Sequence, residues 1–411
     1  MSSIIYNLFA TPESESPARS MRNMMISGAE DDGFLLTYAD MLKLQLNKNR
    51  TLIMIRDSVT AVKHSRARGL IIPYGRRFYE INLTPTGGDI DVLSAFDTAA
   101  RKAKFIETLF TYVCELSPLL RNRVYTFYYY AIDTFDRLGT PYSLADLMAI
   151  DIESVIDAVN MSTLGPVDKG RRLRFLEDDK MYESFAEFDS YIIQLESAGI
   201  VRVLSGEKTC ADVLGGGSVC VVTGFAGEDK GTREILLNAM LYALNAYIER
   251  SARSHPVSVV LDGMDCLKGD LAKTLLEYND GMDCVTYALV NDISKYVMAY
   301  GNELLEHVNS FLVFNQGSTA NAEFWSGFFG SREMQEAHIG FDMKKGGFGS
   351  IVGPWGSGVV PTPQRKRNGH IGYQKVTKPI YPPATFQELR PYQVMCYRKV
   401  PLLRKKNRIE V

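Results

Sequence analysis

The stretch that most constrains the fold is Val257–Leu267, VSVVLDGMDCL. Positions 257–262 are almost entirely apolar or small and end in Asp262. A short apolar run between helical patterns reads as a strand buried on both faces of a parallel sheet. An acid at the carboxyl end of such a strand lies at the crevice where open α/β sheets bind ligands.

The rest of the chain repeats this theme. Met24–Ser27, Thr51–Ile55, Leu70–Ile72, Arg77–Asn82, Val219–Val222, Cys284–Val290 and Phe311–Phe314 read as strands. Helical spacing of apolar residues marks Thr232–Arg250, Leu271–Tyr278, Ile293–His307 and Ala320–Phe329. Alternating β and α units imply a mostly parallel, doubly wound sheet. Between about Asp91 and Gly199 the pattern is helical throughout. Its aromatic run, Tyr125 and Phe127–Tyr130, reads as core rather than as a base-stacking platform. The expected division is a flexible lead at 1–20, an α/β domain at 21–95 and 200–375, an all-α insertion at 96–199, and an extended segment with a basic tail at 376–411. Gly-rich residues within 340–375 suggest twisted hairpins or a surface loop.

The first strand runs into Gly28-Ala-Glu-Asp-Asp-Gly33, and a helix-like stretch follows. Strand, G-x-x-x-x-G, helix is the layout of a P-loop, whose backbone N–H groups cradle phosphates while a Lys reaches the β and γ oxygens. Phe34 stands where that Lys belongs, and Leu35 where a Mg²⁺-binding Ser or Thr belongs. Glu30, Asp31 and Asp32 put three carboxylates in the phosphate seat. Like charges ~4 Å apart repel by ~1 kcal/mol in water and by several times that in a partly dry pocket. The other reading is an acidic turn at a helix N-terminus, where carboxylates are stabilised. In P-loop NTPases an Asp such as Asp262 holds Mg²⁺ through water, and the next residue is commonly a Glu that activates the attacking water. Here the next residue is Gly263.

A formal charge of −2 argues against a uniformly basic nucleic-acid binder. A local basic tract, Arg404–Arg408 with Arg398 and Lys399, reads first as a solvated tail and second as a DNA or lipid contact. The six cysteines (Cys114, Cys210, Cys220, Cys266, Cys284, Cys396) form no CxxC, and the five His are isolated. They read as reduced core thiols of a cytoplasmic protein, with no metal cluster. No stretch approaches eighteen uninterrupted apolar residues, so direct membrane insertion is not expected; attachment at the inner face of a membrane would come through partners.

Taken in order, these pieces resemble the TraG/TraD-type coupling ATPases of conjugation and type IV secretion, over roughly residues 22–400. The INP-like segment is Ile81–Pro85, the acidic strand Val259–Asp265, and Asn291 stands where the family's strand carries a sensor Gln. Asn321–Gly330 resembles the family's TraM-recognition region, and Thr385–Pro391 followed by VMCYRKVPL resembles its ending. The resemblance implies a RecA-like P-loop NTPase fold with an all-α insertion. It also implies that the family's Lys, Ser/Thr and catalytic Glu are replaced by Phe34, Leu35 and Gly263, with Asp262 left as a residual metal ligand. Asp265 does not readily replace a Glu at position 263. Loss of a general base alone costs about 10²–10⁴ in rate.

The expected function is therefore that of a degenerate coupling-protein-like component, without catalytic residues and without a cofactor. It would act on proteins of the transfer machinery: an active coupling ATPase, a relaxosome protein or a channel subunit, in a homo- or hetero-oligomer. Phe324, Trp325 and Phe328 are the candidate interface residues, although packing is the expected fate of at least two. Two alternatives stand beside it. One is an active ATP- and Mg²⁺-dependent DNA-translocating ATPase; the other is a DNA-binding scaffold using the basic tail.

Overall fold

The computed structural model describes residues 23–28, 38–39, 41–43, 50–56, 75–83, 90–224, 229–251, 255–262, 269–277, 284–341, 348–353, 356–361, 369–390 and 393–398. Leu70–Ile72 and the basic tract from Lys399 onward lie outside them. Two compact units emerge: residues up to Gly317 together with those from Leu389 onward, and Ser318–Glu388.

The larger unit is built on strands β1 (Met24–Ser27), β2 (Thr51–Arg56), β3 (Phe78–Leu83), the short β4 (Ile90–Asp91) and β5 (Lys208–Thr209), then β6 (Val219–Gly224), β7 (Val257–Asp262), β8 (Cys284–Val290) and β9 (Ser310–Val313). Ser331–Phe341, Phe348–Gly353, Gly356–Pro361 and Gly369–Pro379 form β10 to β13, and Met395–Arg398 is β14. The main sheet has the order β14-β9-β1-β8-β7-β2-β6-β3. Seven strands run parallel, and β14 closes one edge antiparallel to β9. Every residue of β1, β2, β7, β8 and β9 is buried, as apolar runs without polar alternation require when both faces are covered. The helical residues Tyr38, Met41 and Leu42 cover one face, packing with Met24, Met54, Val221, Val260 and Tyr287.

Helices α1 (Ala99–Val113), α2 (Pro118–Leu138), α3 (Leu144–Met148), α4 (Ile152–Met161), α5 (Pro166–Leu176), α6 (Asp179–Ser197) and α7 (Ile200–Leu204) follow one another between β4 and β5. All but α5 and α7, which start after Gly165 and Gly199, carry side-chain caps at their starts. Ser117 accepts from the Leu120 N–H ahead of Pro118, and Ser143 with Asp146 forms a reciprocal capping box. A knot of rings fills their centre: Phe127 lies 5.4 Å from Phe185 and 5.8 Å from Phe188, and Phe110 lies 6.1 Å from Phe188. Phe127 and Tyr128 are buried, while Tyr125, Tyr129 and Tyr130 are half-buried on the same helix. The two-residue ladder of β4 and β5 joins the entry and exit of this helical run.

Helices α8 (Cys210–Leu214), α9 (Lys230–Ser251), α10 (Gly269–Glu277), α11 (Ile293–Tyr300) and α12 (Glu303–Glu306) complete the unit. The α9 helix is buried on most of its circumference because it packs against α1, α10, β3 and β6. The single helix expected over 293–307 is two, since Gly301 (φ 74°, ψ −179°) takes a backbone conformation that continues no helix.

The smaller unit holds α13 (Thr319–Phe328), α14 (Pro383–Gln387) and two antiparallel hairpin ladders, β10 with β13 and β11 with β12. The Gly-rich residues there form hairpins, the first of the two forms expected from sequence.

Candidate functional site

The register of the parallel strands sets Asn82, Thr223, Arg56, Asp262, Leu289, Ile26 and Leu312 in one row near the carboxyl edge. Register partners in a parallel sheet share a face. That face is fixed by the residues two positions earlier, since Val221, Met54, Val260, Tyr287 and Met24 all belong to the apolar cluster under Tyr38, Met41 and Leu42. The polar residues therefore cap an apolar face. In the strand order β3 lies toward one edge of the sheet from β2, and β8 lies toward the other edge from β7. Diverging connections open a crevice at a topological switch point, here between Arg56 and Asp262.

Both charges are removed from water: Arg56 is 1% exposed and Asp262 9%. The Arg56 Nη2 donates to the Tyr38 hydroxyl at 2.5 Å. Its Nε and the buried Thr223 Oγ1 have no hydrogen-bond partner. Arg56 and Asp262 are register partners on adjacent strands and so lie on the same face of the sheet.

Mg²⁺ takes near-octahedral oxygen donors, usually one or two carboxylates with phosphate oxygens and water. Asp262 offers one carboxylate, on the strand adjacent to that of Arg56. Among the described residues no group of three or more His, Cys, Asp or Glu is placed to hold a metal.

Gly28 follows β1 at φ 136°, and its N–H donates to the Val290 carbonyl at 3.3 Å. A Cβ there would lie 2.8 Å from Phe314 Cβ and 2.9 Å from the Asn315 carbonyl oxygen. Glycine is thus required by the close passage of the segment after β9. Asn291 is exposed just beyond β8. Its neighbour Asp292 caps α11, accepting from the Lys295 N–H. Burial pushes the Asp292 carboxyl up, but hydrogen bonds from Ser294 and Lys295 outweigh it and hold the group below the ordinary value. Gly33, Phe34, Leu35 and Gly263 lie outside the described residues, as do Glu30, Asp31 and Asp32.

In the smaller unit Trp325 is completely buried, so of the three interface candidates it takes the packed fate expected for at least two of them and offers no surface as an anchor. Its ring is boxed by Phe324 at 5.2 Å, Phe328 at 5.3 Å and Phe329 at 6.5 Å. Phe324 and Phe328 are half-buried and keep part of their surface available.

Arg56 and Thr223 are site residues that sequence reasoning missed. Arg56 was visible only as the residue ending the second strand. Its place beside Asp262 is a register between segments about two hundred positions apart, which no local pattern encodes.

No family model matches the chain, and no curated protein matches it. Among solved structures it is similar to the bacterial conjugative coupling protein TrwBdeltaN70 in its unbound monoclinic form, with a TM-score of 0.56 and 11% identity over 92% of this chain and 82% of that one. It is similar to the plasmid coupling protein TrwB in complex with the non-hydrolysable ATP analogue ADPNP, with a TM-score of 0.53 and 11% identity over 91% and 82%. VirB4 of Thermoanaerobacter pseudethanolicus gives a TM-score of 0.50 and 13% identity over 76% and 82%. At these identities the likeness is one of fold: a mixed α/β chain on a seven-strand parallel sheet, the RecA-like P-loop NTPase fold of TrwB.

Proposed function

We propose that the chain is a coupling-protein-like component of a conjugative or type IV secretion system whose nucleotide seat no longer works as one. The observation that carries this reading is the placement of a buried Arg56 as the register partner of Asp262 on the adjacent strand, inside a fold that matches a conjugative coupling protein over 92% of the chain. The sequence supports it with Phe34, Leu35 and Gly263 at the positions of the Lys, Ser/Thr and Glu. A protein of this kind acts by contact, on an active coupling ATPase, a relaxosome protein or a channel subunit, within a homo- or hetero-oligomer. Phe324 and Phe328 on α13 and the helical run α1–α7 are the surfaces to test first. Among the described residues no helix is long and apolar enough to cross a membrane, so any membrane association is proposed to pass through partners.

The test is genetic. In a transfer assay with the host element deleted for this chain, Asp262→Ala should restore transfer as well as the unaltered protein does, while Phe324→Ser with Phe328→Ser should reduce it at least tenfold. Failure of Asp262→Ala with a folded protein would turn the reading to an active ATP-dependent translocase. Loss of transfer only on removing Arg404–Arg408 would turn it to a DNA-binding scaffold.

A further inference from the structure

A cleft of about 560 Å³ opens where α1 and α2 of the helical run meet α9 and α10. Its volume lies in the range of small-molecule sites. The floor is apolar and aromatic: Phe96, Tyr242 and Leu271 line it, and Phe96 and Tyr242 stand 5.9 Å apart. Tyr125 lines the opposite wall, held flat by stacking on Tyr129 at 6.1 Å with 3° between the rings.

Three cations border this surface: Arg101, Lys104 and Arg121. Glu107, one turn along α1 from Lys104, is almost fully buried and pairs with both Lys104 and Arg121, the latter at 3.2 Å through Nε. Arg121 meets Glu107 through Nε and is about half exposed, and a guanidinium presents a planar fork that matches a phosphate in bidentate fashion. The three cationic side chains are each about half exposed, so their remaining donors are within reach of a ligand. Arg101 leans on Glu249 at 3.4 Å at the rim. Asn122 adds an exposed amide to the wall.

We propose that this cleft binds a nucleoside phosphate without a metal ion, the base lying against Tyr242, Phe96 and Tyr125 and the phosphate on Arg121, Lys104 and Arg101. Aromatic faces accept any base, and a guanidinium oriented by a buried carboxylate recognises the phosphate without Mg²⁺. The site is independent of Asp262 and of the reading of the sheet edge.

The experiment is a titration of the full chain with mant-ADP in EDTA, followed by fluorescence anisotropy, with unlabelled ADP, adenosine and inorganic pyrophosphate as competitors. Saturable binding is expected, competed by ADP better than by adenosine or pyrophosphate alone. Arg121→Gln and the surface variant Arg101→Gln, each confirmed folded by its melting temperature, should weaken binding at least tenfold and about threefold. Asp262→Asn should leave it unchanged. Absence of saturable binding up to millimolar ADP would overturn the proposal. So would binding that survives both Arg variants. Binding that depends on Asp262 would overturn it too and would also move the ligand to the sheet edge, against the proposed loss of that seat.

Discussion

At the scale of single residues, the helical run carries a buried charge network whose energetics are open to measurement. Arg172 is 6% exposed and donates to Asp133, to the Thr134 hydroxyl at 2.9 Å, and stacks over Tyr130 at 5.0 Å. Burial pushes the Asp133 carboxyl up, but hydrogen bonds from Arg137 and Arg172 outweigh it and hold it below the ordinary value. A carboxyl depressed in the folded state contributes stability above its unfolded value, near pH ~4, and loses it as pH falls through the folded value. Asp133→Asn should therefore cost about 3 kcal/mol at pH 7, because it strands a buried guanidinium. Its penalty should shrink in denaturant melts below about pH 4. A penalty independent of pH would show that the charge on Asp133 does not matter. Two thiols give a second check. Burial pushes Cys210 up to about 12, with the Ser94 hydroxyl pulling weakly the other way, and raises Cys220 as well. Since the thiolate is the reactive form, both should resist a thiol reagent at pH 8 and react only as the chain unfolds. Labelling of either in the folded protein within minutes would contradict the packing described.

At the scale of elements, the substitution of alanine for two glycines separates crowding from backbone strain. Gly28→Ala meets both a positive φ and contacts of 2.8 and 2.9 Å, so it should cost at least about 3 kcal/mol. Gly301→Ala meets open space and should cost only the backbone strain, about 1–2 kcal/mol. Equal costs in chemical denaturation would mean that the segment after β9 yields easily. Strands were the legible part of this chain. Met24–Ser27 and Cys284–Val290 appear with the bounds expected from their apolar runs, because strands buried on both faces need no alternation to be recognised. Asp262 was legible as an acid ending such a run. Its neighbour across the register was not, because that placement depends on a residue distant in sequence. The break at Gly301 escaped for a different reason: periodicity on either side continued as if unbroken.

At the scale of the whole molecule, the chain returns to its main sheet after the smaller unit, and β14 covers the edge of β9. Truncation after Glu388 removes β14 and leaves a buried-type strand with unpaired backbone groups at an edge. Such a chain should melt several degrees lower and associate in a concentration-dependent way by light scattering; an unchanged melt would show that β14 is dispensable. At the carboxyl edge, where Arg56 and Asp262 are register partners, the proposal is that the seat no longer recruits a metal-bound nucleotide. Equilibrium binding of a non-hydrolysable ATP analogue, with and without Mg²⁺, in the unaltered protein and in Asp262→Ala, tests it most directly. A seat that no longer works predicts that Mg²⁺ adds no affinity and that Asp262→Ala changes nothing. A low-micromolar dissociation constant that requires Mg²⁺ and disappears with Asp262→Ala would contradict it.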